Sequence, residues 1–451
     1  MKVNITISRP LKPYGFAEIL LSYSNPEPIE ASLTIDYKNL YMFTKKQSGI
    51  AFDLFLTACV VYGIDILLPR EKIGFNAWSR EIEVTIPLEN MDVFEAKKSL
   101  LEESLNFLTG DIWSLSFTNA PGFRFYKTGK RQKCYKDSYR NQFKIVNLFS
   151  GGMDSLIGAI DQLSTSDEQV CLVSHTDSVF KGAKKDQEMV LDVINSKYHH
   201  FYHIPTRVDM SDYDVNGAKY PKETTLRSRS FLFLSMGVLV ADSIDSLMPV
   251  YIPENGTISL NLPLTPSRRC TCSTRTTHPH FFHLLELFLQ SIGMNHSIVN
   301  KYQLCTKGEM VENCADRDML LKTYSLSCSC GKRGTRKDIR DNKYAHHCGV
   351  CMPCIYRRAA LHKIGESETV GTDIFNSRKR KFMEIPDMPA LVSYLRKNYS
   401  VYDIEGILLE NGSLPLDKLG QYASVVMRTR DEIKQWVRDN ASDEIKNQFG
   451  I

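Results

Sequence analysis

The chain has no stretch of eighteen consecutive apolar residues, so no segment reads as a membrane-spanning helix. It has no glycine loop closed by a lysine and a hydroxyl residue, which sets aside the ordinary kinase or ATPase phosphate loop. Internal repeats and low-complexity tracts are missing as well. Neither charge dominates: 56 basic residues face 52 acidic ones, a net of +4, so the surface as a whole is not that of a nucleic-acid or membrane binder. The opening MKVNITISRPLKPYG lacks the apolar centre of a signal peptide, and a cytoplasmic protein without membrane contact is expected. In such a protein the twelve cysteines point to metal ligation or buried thiols, not to a disulfide framework. A length of 451 residues leaves room for two or three domains.

What is present begins with Ser150-Gly151-Gly152-Met153-Asp154-Ser155, after the apolar run Ile145 to Phe149 and before a helical pattern. Strand, tight turn and helix start bring backbone N–H groups and the positive end of a helix dipole to one point, where a pyrophosphate can bind. A plain helix cap built from Ser and Asp is the competing reading. The SGGxDS pattern resembles the PP-loop of ATP pyrophosphatases. That resemblance implies cleavage of ATP between its α and β phosphates, adenylation of a substrate oxygen, and displacement of AMP by a nucleophile.

The second signal is Cys348-Gly-Val-Cys351-Met-Pro-Cys354, preceded by Cys328-Ser-Cys330. A CxxCxxC knot supplies three thiolates from one turn and a distant cysteine closes a tetrahedral zinc site. An iron–sulfur cluster uses similar ligands. Only one of Cys328 and Cys330 is needed, and His346 or His347 would serve a mixed site.

With both motifs in place the chain resembles the 7-cyano-7-deazaguanine synthases, the QueC family, over roughly residues 143–366. The matching stretches are Ser150 to Ser155, Arg229 with the apolar run to Ser235, Lys307-Gly-Glu309-Met-Val311, Ser325-Leu326-Ser327-Cys328, and Cys348, Cys351 and Cys354 with Arg357-Arg358. The match makes Cys328 the preferred fourth metal ligand beside Cys348, Cys351 and Cys354. The segments 253–264 and 273–280 depart from the family pattern, and the loop between the cysteine groups is long and carries the basic run Lys332 to Arg340. In these departures the chain is closer to the QatC-like proteins of phage-defence operons. The resemblance implies an AMP-forming carbon–nitrogen ligase that activates a 7-deazaguanine carboxylate and passes it to ammonia or to an amine of a protein partner.

Fold expectations follow the same segments. Residues 1–140 read as a separate α+β unit in the order βαββαβ, a ferredoxin-like arrangement, with a strand at Ile64 to Leu68. Residues 141–366 read as an α/β core, a doubly wound parallel sheet of PP-loop type with strands at Val170 to Ser174, Ile204 to Val208 and Val250 to Pro253. Residues 367–451 read as helical. Asp154 is expected to hold Mg²⁺ on the pyrophosphate, and Ser150, Gly151, Gly152 and Ser155 to cradle the phosphates of ATP. His175 is a candidate for adenine through its backbone. Arg229 and Lys307 are candidates for stabilising charge at phosphorus, although Lys307 also reads as a solvated lysine. Glu254 and Asn255 are expected on the heterocycle and Arg275 on its carboxylate. Cys270, Cys272, His278, His280 and His283 form a weak second metal constellation, and Arg378 to Lys381 a basic run suited to phosphate. Two other functions stay open: a tRNA-modifying PP-loop enzyme, and a non-catalytic nucleotide-binding scaffold of a defence complex.

Overall fold

The computed structural model describes residues 2–8, 16–24, 28–119, 134–178, 182–264, 275–333, 340–385 and 387–451. The first third runs β1 (Lys2–Ser8), β2 (Phe16–Ser24), β3 (Pro28–Asp36), α1 (Lys38–Thr44), α2 (Ile50–Leu67), α3 (Arg70–Ile73), β4 (Glu81–Leu88), α4 (Met91–Thr109) and β5 (Ile112–Asn119). The middle runs α5 (Asp137–Arg140), β6 (Phe143–Leu148), α6 (Met153–Thr165), β7 (Gln169–Thr176), α7 (Ala183–Ile194), β8 (Phe201–Asp214), α8 (Arg229–Ile244), β9 (Val250–Tyr251), α9 (Gly256–Leu260), α10 (Pro279–Ser291), β10 (Ile298–Val299), α11 (Lys307–Glu312), α12 (Arg317–Thr323) and α13 (Met352–Lys363). Four helices follow: α14 (Met388–Arg396), α15 (Val401–Asn411), α16 (Leu419–Asn440) and α17 (Asp443–Phe449).

The ten strands of the described residues belong to one mostly parallel sheet in the order β10-β9-β6-β7-β8-β3-β2-β1-β4-β5. The chain builds outward from β6 through β7 to β8, then crosses back to lay β9 and β10 on the other side of β6. That reversal leaves a crevice beyond the carboxyl ends of β6 and β9, where ligands of open α/β sheets bind. The strands and helices expected in this region lie where the apolar runs put them. Strands β6 and β7 are nearly continuous in buried residues, as a sheet covered on both faces requires. One face packs on α2, α8 and α10, the other on α6, α7, α11 and α12.

The first third differs from its expectation. Its order is three strands, then helices, then β4, α4 and β5, so it is not ferredoxin-like, and it is not a separate layer. Strand β3 pairs antiparallel with β8, with Thr34 opposite Asp209 and Ile35 opposite Val208, and the sheet runs on without a break. Ile64 to Leu67 is not a strand but the last turn of α2. That helix has the length and apolarity of a membrane span, yet 94% of it is buried inside the protein. Being apolar all round it shows no helical stripe, which is why its end reads as a strand. A buried charge cluster ties this helix to its neighbours: Arg80 Nη2 contacts Asp65 Oδ1 and Asp111 Oδ2 at 2.6 Å each, and Arg70 Nη1 contacts Asp111 Oδ1 at 2.7 Å.

The long outer strand, β5, is guarded. The N–H groups of Trp113, Leu115 and Phe117 donate to Asn106 Oδ1 (2.8 Å), Glu102 Oε1 (2.7 Å) and Glu95 Oε2 (3.1 Å), all on α4. Side chains thus occupy the ladder positions that a further strand would take. The last four helices form a core of their own around Leu391, Tyr422 and Trp436, continuous with Met352 and Ile355 of α13.

Candidate active site

The glycine loop closes on itself through two serines. Ser155 Oγ donates to Gly152 O (3.0 Å) and accepts from Ser150 N (3.2 Å), while Gly152 N donates to Ser150 Oγ (3.3 Å). Gly151 has φ +83°, a left-handed conformation that a side chain would strain, and a Cβ there would stand 3.0 Å from Gln187 Cγ. A second segment is strapped over the loop: Cys328 N donates to Gly151 O (3.0 Å), and Met153 N donates to Ser329 Oγ (3.1 Å).

Asp154, in the first turn of α6, is buried among partners. Lys307 Nζ donates to its Oδ1, and Asn255 Nδ2 donates to its Oδ2 at 2.7 Å. Lys307 is buried at the start of α11, held by the Thr306–Glu309 capping box, so it is not a solvated lysine. Burial works against the charged form of Asp154, but Lys307 and the hydrogen bonds from Glu254, Lys307 and Asn255 outweigh it and hold its pKa below the usual carboxylate range. Glu254 goes the other way: burial, then the negative charge of Asp154, push it well above its ordinary value. The pair therefore keeps one proton, on Glu254, which donates to Asp154.

This arrangement revises three expectations. Asn255 is fully buried and consumed: its Oδ1 accepts from Ile258 N (3.0 Å) to cap α9, and its amide reaches Asp154 and Glu254. It is buried and is not among the residues that line the cleft. Glu254 lines the cleft but shares its proton with Asp154. Arg275 lies over the Phe107 ring at 4.4 Å and donates to Phe107 O (3.1 Å), away from the cleft; its neighbour Thr276 is the residue that lines it.

Arg229 opens α8 at the cleft wall. Its Nε donates to His175 Nδ1 (3.3 Å) and stands 3.9 Å from Asp177 Oδ2. His175 is buried, its Nε2 bonded to Val208 O (3.1 Å). Burial, then Arg229, pull its pKa down to about 4, so it is neutral. Its side chain holds Arg229 from behind, and it is not among the residues lining the cleft.

Ser150, Gly152, Asp154, Ser155, Arg229, Glu254 and Lys307 line one cleft of 350 Å³. Among the lining residues not expected in the cleft, Cys328 and Arg333 carry chemistry. Cys328 lines it, burial pushing its thiol up to about 11, and so does Arg333, whose guanidinium pairs with the buried Asp186 (Nη2 to Oδ1, 2.9 Å). In the sequence Arg333 is one member of a basic run, and nothing local separates it from the rest.

The metal quartet is Cys330, Cys348, Cys351 and Cys354, buried, with all four sulfurs within 4.8 Å of one another. Cys328 is not part of it. Its backbone is tied to Gly151, which leaves its sulfur beside the cleft, 4.0 Å from His346 O, and Cys330 is the residue that reaches the knot. The Cys348 sulfur accepts from Cys351 N (3.4 Å) and Val350 N (3.5 Å), in a turn that needs Gly349 at φ +81°. Sulfur separations of 3.8 Å for Cys348–Cys354 and 3.4 Å for Cys351–Cys354 approach the spacing of about 3.8 Å set by a tetrahedron of Zn–S bonds about 2.3 Å long. The four thiols fit a closed structural metal site and could hold a metal such as zinc. Behind the knot, buried Arg357 donates to Glu368 Oε1 and Oε2 (2.9 Å each), Ser327 Oγ (3.0 Å) and Tyr324 O (2.6 Å), fixing the strap to α13.

No family model, curated protein or solved structure matches the chain.

Of the second metal constellation, Cys270 and Cys272 lie outside the described residues. His278 is buried and accepts from His280 N (3.2 Å), and His280 stands edge-on to Phe107 at 4.7 Å. In the run Arg378 to Lys381, Lys379 donates to Arg340 O, in the stretch between the cysteine groups.

Proposed function

We propose that the chain is an AMP-forming carbon–nitrogen ligase of the QueC-like kind, activating the carboxylate of a 7-deazaguanine with ATP and transferring the acyl group to a nitrogen nucleophile. One observation carries this reading. Segments distant in sequence, 150–155, 229, 253–254, 307 and 328–333, line a single cleft at the reversal point of a parallel sheet, and they bring a glycine loop together with three cations.

In the first step a carboxylate oxygen of the substrate attacks the α-phosphorus of ATP; the bond to the β-phosphate oxygen breaks and pyrophosphate leaves. In the second, an amine nitrogen attacks the acyl carbon, the carbon–oxygen bond breaks, AMP leaves, and the nitrogen gives up a proton. The loop between Ser150 and Ser155 receives the phosphates. Arg229 and Arg333, which line the same cleft, offset negative charge as it builds on the leaving oxygens. Lys307, held by Asp154, adds a third cation in a buried setting where charge is weakly screened. The residues fit Mg²⁺ poorly: both oxygens of Asp154 are bonded, its charge is matched by Lys307, and Glu254 keeps its proton. No step is assigned to that ion.

The test is to incubate the protein with ATP, Mg²⁺, 7-carboxy-7-deazaguanine and ammonium and to follow AMP and pyrophosphate. Formation that needs the deazaguanine and fails in Asp154→Ala supports the reading. Absence of AMP with that substrate, or AMP formed with tRNA instead, overturns it.

A further inference from the structure

We infer that Tyr62, on a helix of the first third of the chain, is a positioning residue for the Arg229 guanidinium; this rests on the reading that the cleft takes ATP. An arginine side chain has many rotamers, and a cation that must meet a phosphate is useful only if its fork is held in place before the ligand arrives. Arg229 is held at Nε, the inner end of its fork, by His175 and Asp177. Because Val208 O can only accept, His175 carries its proton on Nε2 and offers Nδ1 as the acceptor that Arg229 uses.

Tyr62 touches both of those partners. Its hydroxyl donates to Asp177 Oδ2 at 2.8 Å, and its ring stands edge-on to the His175 ring at 5.2 Å and 89°. One turn along the same face of α2, Asp65 Oδ2 accepts from Ser228 N (2.9 Å) and Ser228 Oγ (2.8 Å), fixing the residue that precedes Arg229. Asp65 is locked in turn by Arg80 and Arg70. The same helix therefore sets where α8 begins, through Asp65, and how its first side chain is aimed, through Tyr62. The first third of the chain is part of the cleft's construction rather than an appendage to it.

A buried tyrosine that only filled the core would matter equally with or without Arg229. A positioning residue acts through Arg229 alone. The experiment is a double-mutant cycle on the full chain, with wild type, Tyr62→Phe, Arg229→Ala and the double variant, reading ATP affinity by calorimetry and AMP formation in parallel. Tyr62→Phe keeps the ring and removes one oxygen. It should weaken ATP binding about tenfold as the aim of Arg229 is lost, and it should lower the urea midpoint because the buried Asp177 carboxylate loses a donor. In the Arg229→Ala background it should do nothing further. The same loss in both backgrounds, or no loss in the wild type, overturns the proposal. If Tyr62→Phe does not fold, Asp177→Asn takes its place in the cycle. A wild type that binds ATP but forms no AMP sinks the ligase reading and leaves the cycle to decide Tyr62; a wild type that does not bind ATP removes both.

Discussion

Replacing Glu254 with Gln tests the shared proton at the base of the cleft. In the folded wild type, burial and then Asp154 keep Glu254 protonated well above its ordinary value of 4.5, whereas the unfolded chain ionises there. A group whose folded pKa is raised contributes its full stability below its unfolded pKa and loses it as pH rises toward the folded one. Within that window each pH unit costs about 1.4 kcal/mol, because the unfolded state has released a proton that the folded state retains. Asp154 has the opposite sign: its lowered pKa gives stability that is present above 3.8 and is lost as pH falls below it, outside the window. A glutamine keeps a donor toward Asp154, does not titrate, and removes the slope. Urea unfolding of both proteins between about pH 5 and about pH 7 should therefore show Glu254→Gln gaining on the wild type as pH rises, by up to about 1.4 kcal/mol per unit. Free-energy curves that stay parallel would mean that Glu254 is ionised in the folded protein, and the one-proton reading of the pair would be wrong.

Two further outcomes follow from the same geometry. Cys330→Ser should lose bound zinc while Cys328→Ser keeps one equivalent, as metal analysis of the purified variants would show; the reverse pattern would restore Cys328 to the quartet. Lys307→Met leaves the Asp154 carboxylate buried without its cation and should cost about 3–5 kcal/mol of stability in urea, most of it regained in Lys307→Met/Asp154→Asn, with AMP formation lost in both. Equal stability of the single and double variants would show that Asp154 does not depend on Lys307.

The parts of the site that could be read in the sequence are those with short-range signatures. The glycine turn between an apolar run and a helix locates the loop, and the knot of three cysteines locates most of the quartet. Strands β6 and β7 read correctly because strands buried on both faces are nearly continuous apolar runs. The misreadings have a common cause, which is that local pattern carries no direction. Cys328 and Cys330 have the same chemistry two residues apart, so the residues alone leave the choice open and the family resemblance chooses Cys328; in the fold the backbone of Cys328 is tied to Gly151 and Cys330 reaches the knot. Glu254 lines the cleft as expected, whereas the side chain of Asn255, beside it, is turned to Asp154. The pairing of β3 with β8 joins residues far apart in sequence, and the last turn of α2, apolar throughout from Ile64 except for Asp65, reads as a strand.

The seam between β3 and β8 also governs how the molecule can be divided. Strand β8 is fourteen residues long, and its outer half gives its backbone groups to β3. The natural rim at β5 is plugged by α4, but a protein shortened to begin after β5 would uncover the β8 rim with Val208 and Met210 beside it, a ready template for pairing with another copy. Such a fragment would fail by clumping before its chemistry could be assayed, and its silence would say nothing about where the catalytic groups reside.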